Sequence, residues 1–397
     1  MIRILKLTII LFCFLSLVSG CSDYTELNKK SFVMGLGVDW TKDSNYKITM
    51  QIINPKELAG QEGGKGEASP TNIYSSTGKT LSEAARNANK KVTKIMDYSH
   101  VTLAVVGEEA AKHGLNEFVD AILREPRISN IMSVIVAKNT TAEKILGTVT
   151  PVDQVSSMEM ASKMKNNLTS LGESVNPNIL QLGENLRSTG SDIAISGVSL
   201  IDERQEKGEL KNVESIKPTQ TLIDEVALFR QGKLVGWLSG KQTRALLMIR
   251  KQLEETNLAV PCGHNQYISL RITEQKLKTD VKVNNNKAFI RIDNSFLAVL
   301  DETGCSSNLE SFKEINNIQK KAGKVVEAQM RDGILTAQNY KSDVFGFGNR
   351  LHINNPQQWK KVENKWRDLF AKADIEVKAK VFIRRKGMLA SPLFNKE

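Results

Sequence analysis

The sequence predicts an α+β protein built from mixed sheets packed with helices and placed behind a processed leader. Two observations carry that class. Apolar residues alternate at period two in several short runs and recur at period 3.6 between them, as when strands exchange with helices along a chain. At 397 residues the chain also exceeds one compact core, since single cores stop growing at roughly 250–300 residues, so two or three domains are expected. A hydrophobic content of 40% with 25% charged residues excludes a disordered or collagen-like chain. Four Cys and four His are too few for a disulfide scaffold or a multinuclear metal protein.

The amino terminus comes first. Arg3 and Lys6 precede an uncharged run over 7–19. The run is shorter than the roughly 20 apolar residues of a membrane span and has the proportions of a signal-peptide core. It closes on Val18-Ser19-Gly20-Cys21, small residues before a cysteine, which resembles the bacterial lipobox. The expectation is cleavage before Cys21, with diacylglycerol on its thiol and an N-acyl chain such as palmitate on its amine. The alternative is an ordinary secretory signal with an incidental cysteine. Each buried lipid CH₂ contributes about 0.8 kcal/mol, so two or three chains would hold a water-soluble body at the membrane. No second span is expected in 21–397.

Along the mature chain, 32–39 and 46–54 read as strands, followed by a glycine-bearing loop over 59–72. Leu81, Ala84, Ala85, Ala88, Val92, Ile95 and Met96 share one helical face, which predicts a helix over 80–96. Thr80 caps it, with Glu83 at the capping-box spacing. A strand is expected over 100–106, a helix over 115–124, a strand over 132–137 and shorter helices within 142–187. Next come a strand at 193–201, a charged linker at 202–217 and a hairpin across Gln231-Gly232-Lys233. A helix over 241–254 leads to a second hairpin across Asn284-Asn285-Asn286. A long helix over 310–338 carries Phe312, Ile315, Ala322, Val326 and Met330 on one stripe. Pro356 opens a helix with Trp359, Val362, Trp366 and Phe370 inward. Ile375, Val377, Val381 and Ile383 alternate as a half-buried strand.

The net charge is +11; residues 1–20 hold two of the cations and no acid, and 356–397 hold eleven Lys/Arg against five Asp/Glu. This basic end suits an anionic surface, either phospholipid or an acidic partner; a solvated face is the plain alternative. Nucleic acid is not expected on an exported chain. Ser76-Thr77-Gly78-Lys79-Thr80 resembles the end of a phosphate-binding loop, but Ile73 stands where its first glycine belongs. Gly35-Leu36-Gly37 lacks the third glycine of a dinucleotide fingerprint and reads as close backbone packing. Cys262-Gly263-His264 has no neighbouring acid or thiol to complete a metal site. Cys262 and Cys305 are either a disulfide or two buried thiols. No nucleophile elbow or histidine pair is present, so neither an enzyme nor a cofactor is expected.

The assembled motifs resemble the spore germination lipoprotein family, the GerC-type C subunit of nutrient germinant receptors. They run from Cys21-Ser22-Asp23 through Gly35-Leu36-Gly37-Val38-Asp39, Gln51-Ile52-Ile53-Asn54-Pro55, Gly78-Lys79-Thr80-Leu81 and Val106-Gly107-Glu108. They continue through Ala227-Leu228-Phe229, Lys233-Leu234-Val235-Gly236-Trp237 and Asp343-Val344-Phe345-Gly346-Phe347-Gly348 to Pro356, Trp359, Trp366 and Phe370. Ser22 departs from the family's frequent tryptophan. The resemblance implies three domains, taken as 21–190, a small middle unit 191–262, and 263–397. It implies a lipid anchor at the outer face of the spore inner membrane, multispanning A and B subunits as partners, and no catalytic residues. Candidate partner contacts are Gly346, Phe347 and Gly348, as a packed turn or an exposed ligand, and the basic Arg384, Arg385 and Lys386. Two other functions remain as alternatives: a lipid-anchored solute-binding protein of a transporter, and a surface hydrolase.

Overall fold

A computed structural model describes residues 26, 29–53, 71–148, 155–201, 220–305, 309 and 311–385. The leader, Cys21, most of the 59–72 loop, the 202–217 linker and Lys386 lie outside the described residues.

The first sheet holds β1 (Lys30–Trp40), β2 (Tyr46–Ile53), β3 (Thr71–Gly78), β4 (Ile95–Asp97), β5 (Leu103–Gly107), β6 (Ser133–Ala137), β7 (Ala194–Ile201), β8 (Gln220–Arg230) and β9 (Lys233–Ser239). Their order is β3-β2-β1-β5-β6-β7-β8-β9, with β4 beside the start of β1. β1, β5, β6 and β7 are mutually parallel, and antiparallel hairpins extend both sides. The parallel strands are buried on both faces, which is why β5 and β6 are continuous apolar runs rather than alternating ones. Among the described residues, the α-helices interleaved with these strands are α1 (Leu81–Ala88), α2 (Glu108–His113), α3 (Asn116–Arg124), α4 (Ala142–Leu146), α5 (Ser156–Asn166) and α6 (Ile179–Arg187). α1, α2, α3 and α6 cover one face. On the other, Leu103, Val105 and Ile135 pack against α4 and α5.

Helix α7 (Gly240–Arg250) leads to the second sheet, β10 (Thr256–Gly263), β11 (Gln266–Asn284), β12 (Lys287–Thr303) and β13 (Asp374–Arg385). The first three strands form an antiparallel meander, and β13 joins β12 in parallel. A parallel return needs a long crossover. It is supplied by α8 (Phe312–Asn339), α9 (Phe347–Asn354), α10 (Pro356–Val362) and α11 (Trp366–Ala371). One core joins Val226, Leu228 and Leu238 of the first sheet to α7, α8 and the second sheet.

Both expected hairpins close through two-residue turns: Gln231-Gly232 at φ +53° and +78°, and Asn285-Asn286 at +48° and +60°. Positive φ at both positions matches the turn to the strand twist. Cys262 and Cys305 are disulfide-bonded.

Three expectations need correction. The 80–96 helix ends at Ala88; Asn87 and Asn89 weaken it, and Ile95–Asp97 pair with β1 instead. Phe312 starts α8 but is 83% exposed, off the buried stripe that holds Ala322, Val326 and Met330. The Pro356 helix breaks at a 3₁₀ turn over Glu363–Lys365, although Trp359, Val362, Trp366 and Phe370 are all buried. Of the strands within residues 191–262, β7–β9 extend the first sheet and β10 belongs to the second, each finding its pairing on an existing edge.

The glycines of β1 do serve close packing. A Cβ on Gly35 would lie 2.8 Å from Leu146 Cδ2 and 2.9 Å from Ser157 Cβ. Gly35→Val should therefore lower unfolding stability by about 1–3 kcal/mol through overpacking, read as a reduced urea midpoint with an unchanged slope.

Candidate functional site at the junction of the two sheets

A buried polar cluster joins the first sheet to the crossover of the second. Asp343 lies in the turn between α8 and α9 and is fully buried. Gly346 adopts φ +76° there, which turns successive backbone amides toward the Asp343 carboxylate. Oδ1 accepts from the Gly346 and Phe347 amides at 3.0 and 3.2 Å. Oδ2 accepts from the Gly348 amide and from Trp366 Nε1, both at 2.8 Å. A side chain at Gly348 would strike Trp366 and the Gly190 carbonyl, so the turn needs glycine at this position for contact and at 346 for backbone angle.

Asp192, two residues before β7, faces it. Its carboxylate accepts the Arg367 fork, with Nη2 at 2.9 Å and Nε at 3.1 and 3.2 Å, and the Asp343 amide at 3.0 Å. The Asp192 amide donates to the Asp343 carbonyl at 2.9 Å, so Asp192 accepts from the Asp343 backbone through its side chain and donates to it through its own amide. Ser342 Oγ donates to the Phe229 carbonyl at 2.6 Å, the Asn349 amide to the Gly190 carbonyl at 2.8 Å, and Arg250 Nε to the Val344 carbonyl at 2.7 Å. Burial pushes the Asp343 carboxyl up to about 6, and the nearby Asp192 charge adds to the rise; the Gly348, Trp366 and Phe347 donors oppose it. The donors recover part of the cost of ionising this group, not all of it. This is the chemistry of a fixed joint.

Gly346, Phe347 and Gly348 thus form a packed turn. Phe347 is 1% exposed, which removes it as a ligand presented to another chain. Arg384 is exposed near the end of β13 and pairs with Glu274 at 3.5 Å; Arg385 closes the strand. The structure does not bring these basic residues to the junction. Sequence reading missed Asp192 and Arg367, which lie 175 residues apart and carry no local signal. A second internal carboxylate explains the motif Gly35 to Asp39. Asp39 accepts the Ala142 and Glu143 amides at 2.8 and 3.1 Å and so holds the start of α4, while burial pushes its carboxyl up.

A cavity of about 560 Å³ opens between α1, α3 and the sheet. Leu36, Ile48, Met50, Leu81 and Ile122 make its apolar floor, with Arg86, Lys94, Arg124 and Arg127 at its edge. Among the described residues, no group of three His, Cys, Asp or Glu is placed to hold a metal, and no helix is long and apolar enough to cross a membrane.

The architecture is that of a solved protein, the crystal structure of GerBC, with a TM-score of 0.51 and 18% identity over 91% of this chain and 100% of that one. The model of the spore germination protein N-terminal domain matches residues 23–200, and the spore germination B3/GerAC-like C-terminal model matches 224–387. The chain belongs to this family of spore germination proteins. It is 28% identical to spore germination protein KC of Bacillus subtilis over 99% of this chain and 98% of that protein. It is 23% identical to spore germination protein B3 of the same organism, over 94% and 95%.

Removing one side of the joint leaves buried donors without partners, so Asp192→Ala should cost about 3 kcal/mol in chemical unfolding. The Asp343 value lies above the ordinary 3.8, so the stability it contributes is complete below about pH 4 and is lost as pH rises through about 6. The stability gap between the wild type and Asp343→Asn, which does not titrate, should narrow across that window in a pH series of denaturant melts.

Proposed function

We propose that this protein is the membrane-anchored lipoprotein subunit of a nutrient germinant receptor, held at the outer face of the spore inner membrane by lipid on Cys21. It works without catalysis: it supports and couples multispanning A and B subunits, which receive the nutrient. The observation that carries the reading is the match of both family models to one chain whose uncharged leader run closes on Val18-Ser19-Gly20-Cys21. The joint described above supports it, because a body braced between its two sheets passes a displacement at one end to the other instead of absorbing it.

The partner contact falls to the end of β13, where the exposed Arg384 is followed in sequence by Arg385 and Lys386. Basic side chains on a strand end suit acidic loops of a neighbouring subunit. Deletion in a sporulating host should abolish germination with the cognate nutrient and leave a receptor-independent trigger effective; equal loss of both responses contradicts the reading. Reversing the charge at Arg384, Arg385 and Lys386 should reduce co-purification of the multispanning subunits while the protein's own melting temperature stays within a few degrees; undiminished recovery rules out this contact.

A further inference from the structure

The chain enters the first sheet at Lys30, nine residues after Cys21. Nine extended residues reach at most about 32 Å. A lipid on Cys21 therefore keeps the entry end of β1 close to the bilayer. β1, β5 and β6 run parallel, so the segments leading into β5 and β6 lie at that same end. β4 pairs there too, with Ile95 opposite Lys30.

The surface at this end is apolar and basic together. Ile95 is 58% exposed, and Ile131, in the turn before β6, is 77% exposed. Ile95 also lines the cavity between α1 and α3, whose floor is apolar and whose edge carries four cations against Glu125 alone. The acids around it are already matched: Asp97 to Lys30 at 3.0 Å, Asp120 to Arg124 at 2.7 Å and Glu125 to Arg127 at 2.7 Å. Arg86 and Lys94 have no acidic partner among the described residues. Exposed isoleucines are ordinary by themselves, and Ile353 on α9 is one at 79%. Position separates the two groups. Ile95 and Ile131 sit at the tethered end, Ile95 in one cavity rim with unmatched cations. Exposed apolar residues with free cations are the composition with which a protein surface settles into the headgroup boundary of an anionic membrane.

We propose that the entry end of the first sheet is a docking face for anionic phospholipid. Arg86 and Lys94 meet headgroup phosphates, Ile95 and Ile131 enter the acyl boundary, and the apolar floor of the cavity faces the same lipid. The tether sets the distance and this face sets the orientation, which leaves the receptor subunits a body held at a defined angle rather than one swinging on a short leash. The proposal rests on the lipid-anchor reading above.

The test uses the mature acylated chain in vesicles of phosphatidylglycerol and phosphatidylcholine. A polarity-sensitive fluorophore is placed through Ile95→Cys, Ile131→Cys or Ile353→Cys; the bonded Cys262 and Cys305 do not compete for it. Labels at 95 and 131 should be quenched by spin-labelled lipid several-fold more strongly than the label at 353. Arg86→Glu with Lys94→Glu, or vesicles of phosphatidylcholine alone, should bring all three to the same level. If the chain floats with the vesicles, mass spectrometry shows acyl groups on Cys21, and the labels at 95 and 131 are quenched no more than that at 353, the docking face is wrong and the anchor stands. An unmodified Cys21 overturns the anchor and the docking face with it.

Discussion

A carboxylate removed from water needs a donor for each of its lone pairs, and Asp343 finds four, from three consecutive amides and an indole. Those donors are in position only while the glycine-bearing turn, α11 and the segment entering β7 keep their mutual arrangement. Asp192 extends the same demand to the first sheet, because its oxygens hold both Arg367 and the Asp343 amide. Sliding one sheet past the other by even one hydrogen-bond length would strand several buried polar groups at once. The apolar core that spans α7, α8 and both sheets supplies the bulk of the adhesion, and the two carboxylates determine which arrangement it adopts.

Much of the fold was legible because burial writes itself into periodicity. The parallel core strands, both two-residue hairpins and the buried aromatic residues after Pro356 all follow from local pattern and turn chemistry. One misreading has a clear cause: a local pattern met a competing long-range contact. Residues 89–96 continue a helical stripe, yet the start of β1 offered Ile95–Asp97 backbone partners that a helix could not. At the joint, the segment Asp343 to Gly348 stood out as a motif, but its purpose did not. An aspartate followed by Gly-Phe-Gly looks the same whether the phenylalanine faces a partner or the interior. Only the fold brings Asp192 to it from 151 residues away, and Arg367 to Asp192 across 175.

Function follows from what the two ends of such a body can reach. The family membership assigns the chain to spore germination. An acylated Cys21 would bring the entry end of the first sheet to the bilayer, and the basic end of β13 lies on the other sheet. A joint between sheets then has a use beyond stability, since it makes the position of one end depend on the other.

The central claim is that the joint makes the two sheets one mechanical and thermodynamic unit. Differential scanning calorimetry of the intact protein tests it most directly. One heat-capacity peak, with calorimetric and van't Hoff enthalpies equal, is the predicted result. Two separable peaks, with the first sheet and the second melting independently, would contradict it.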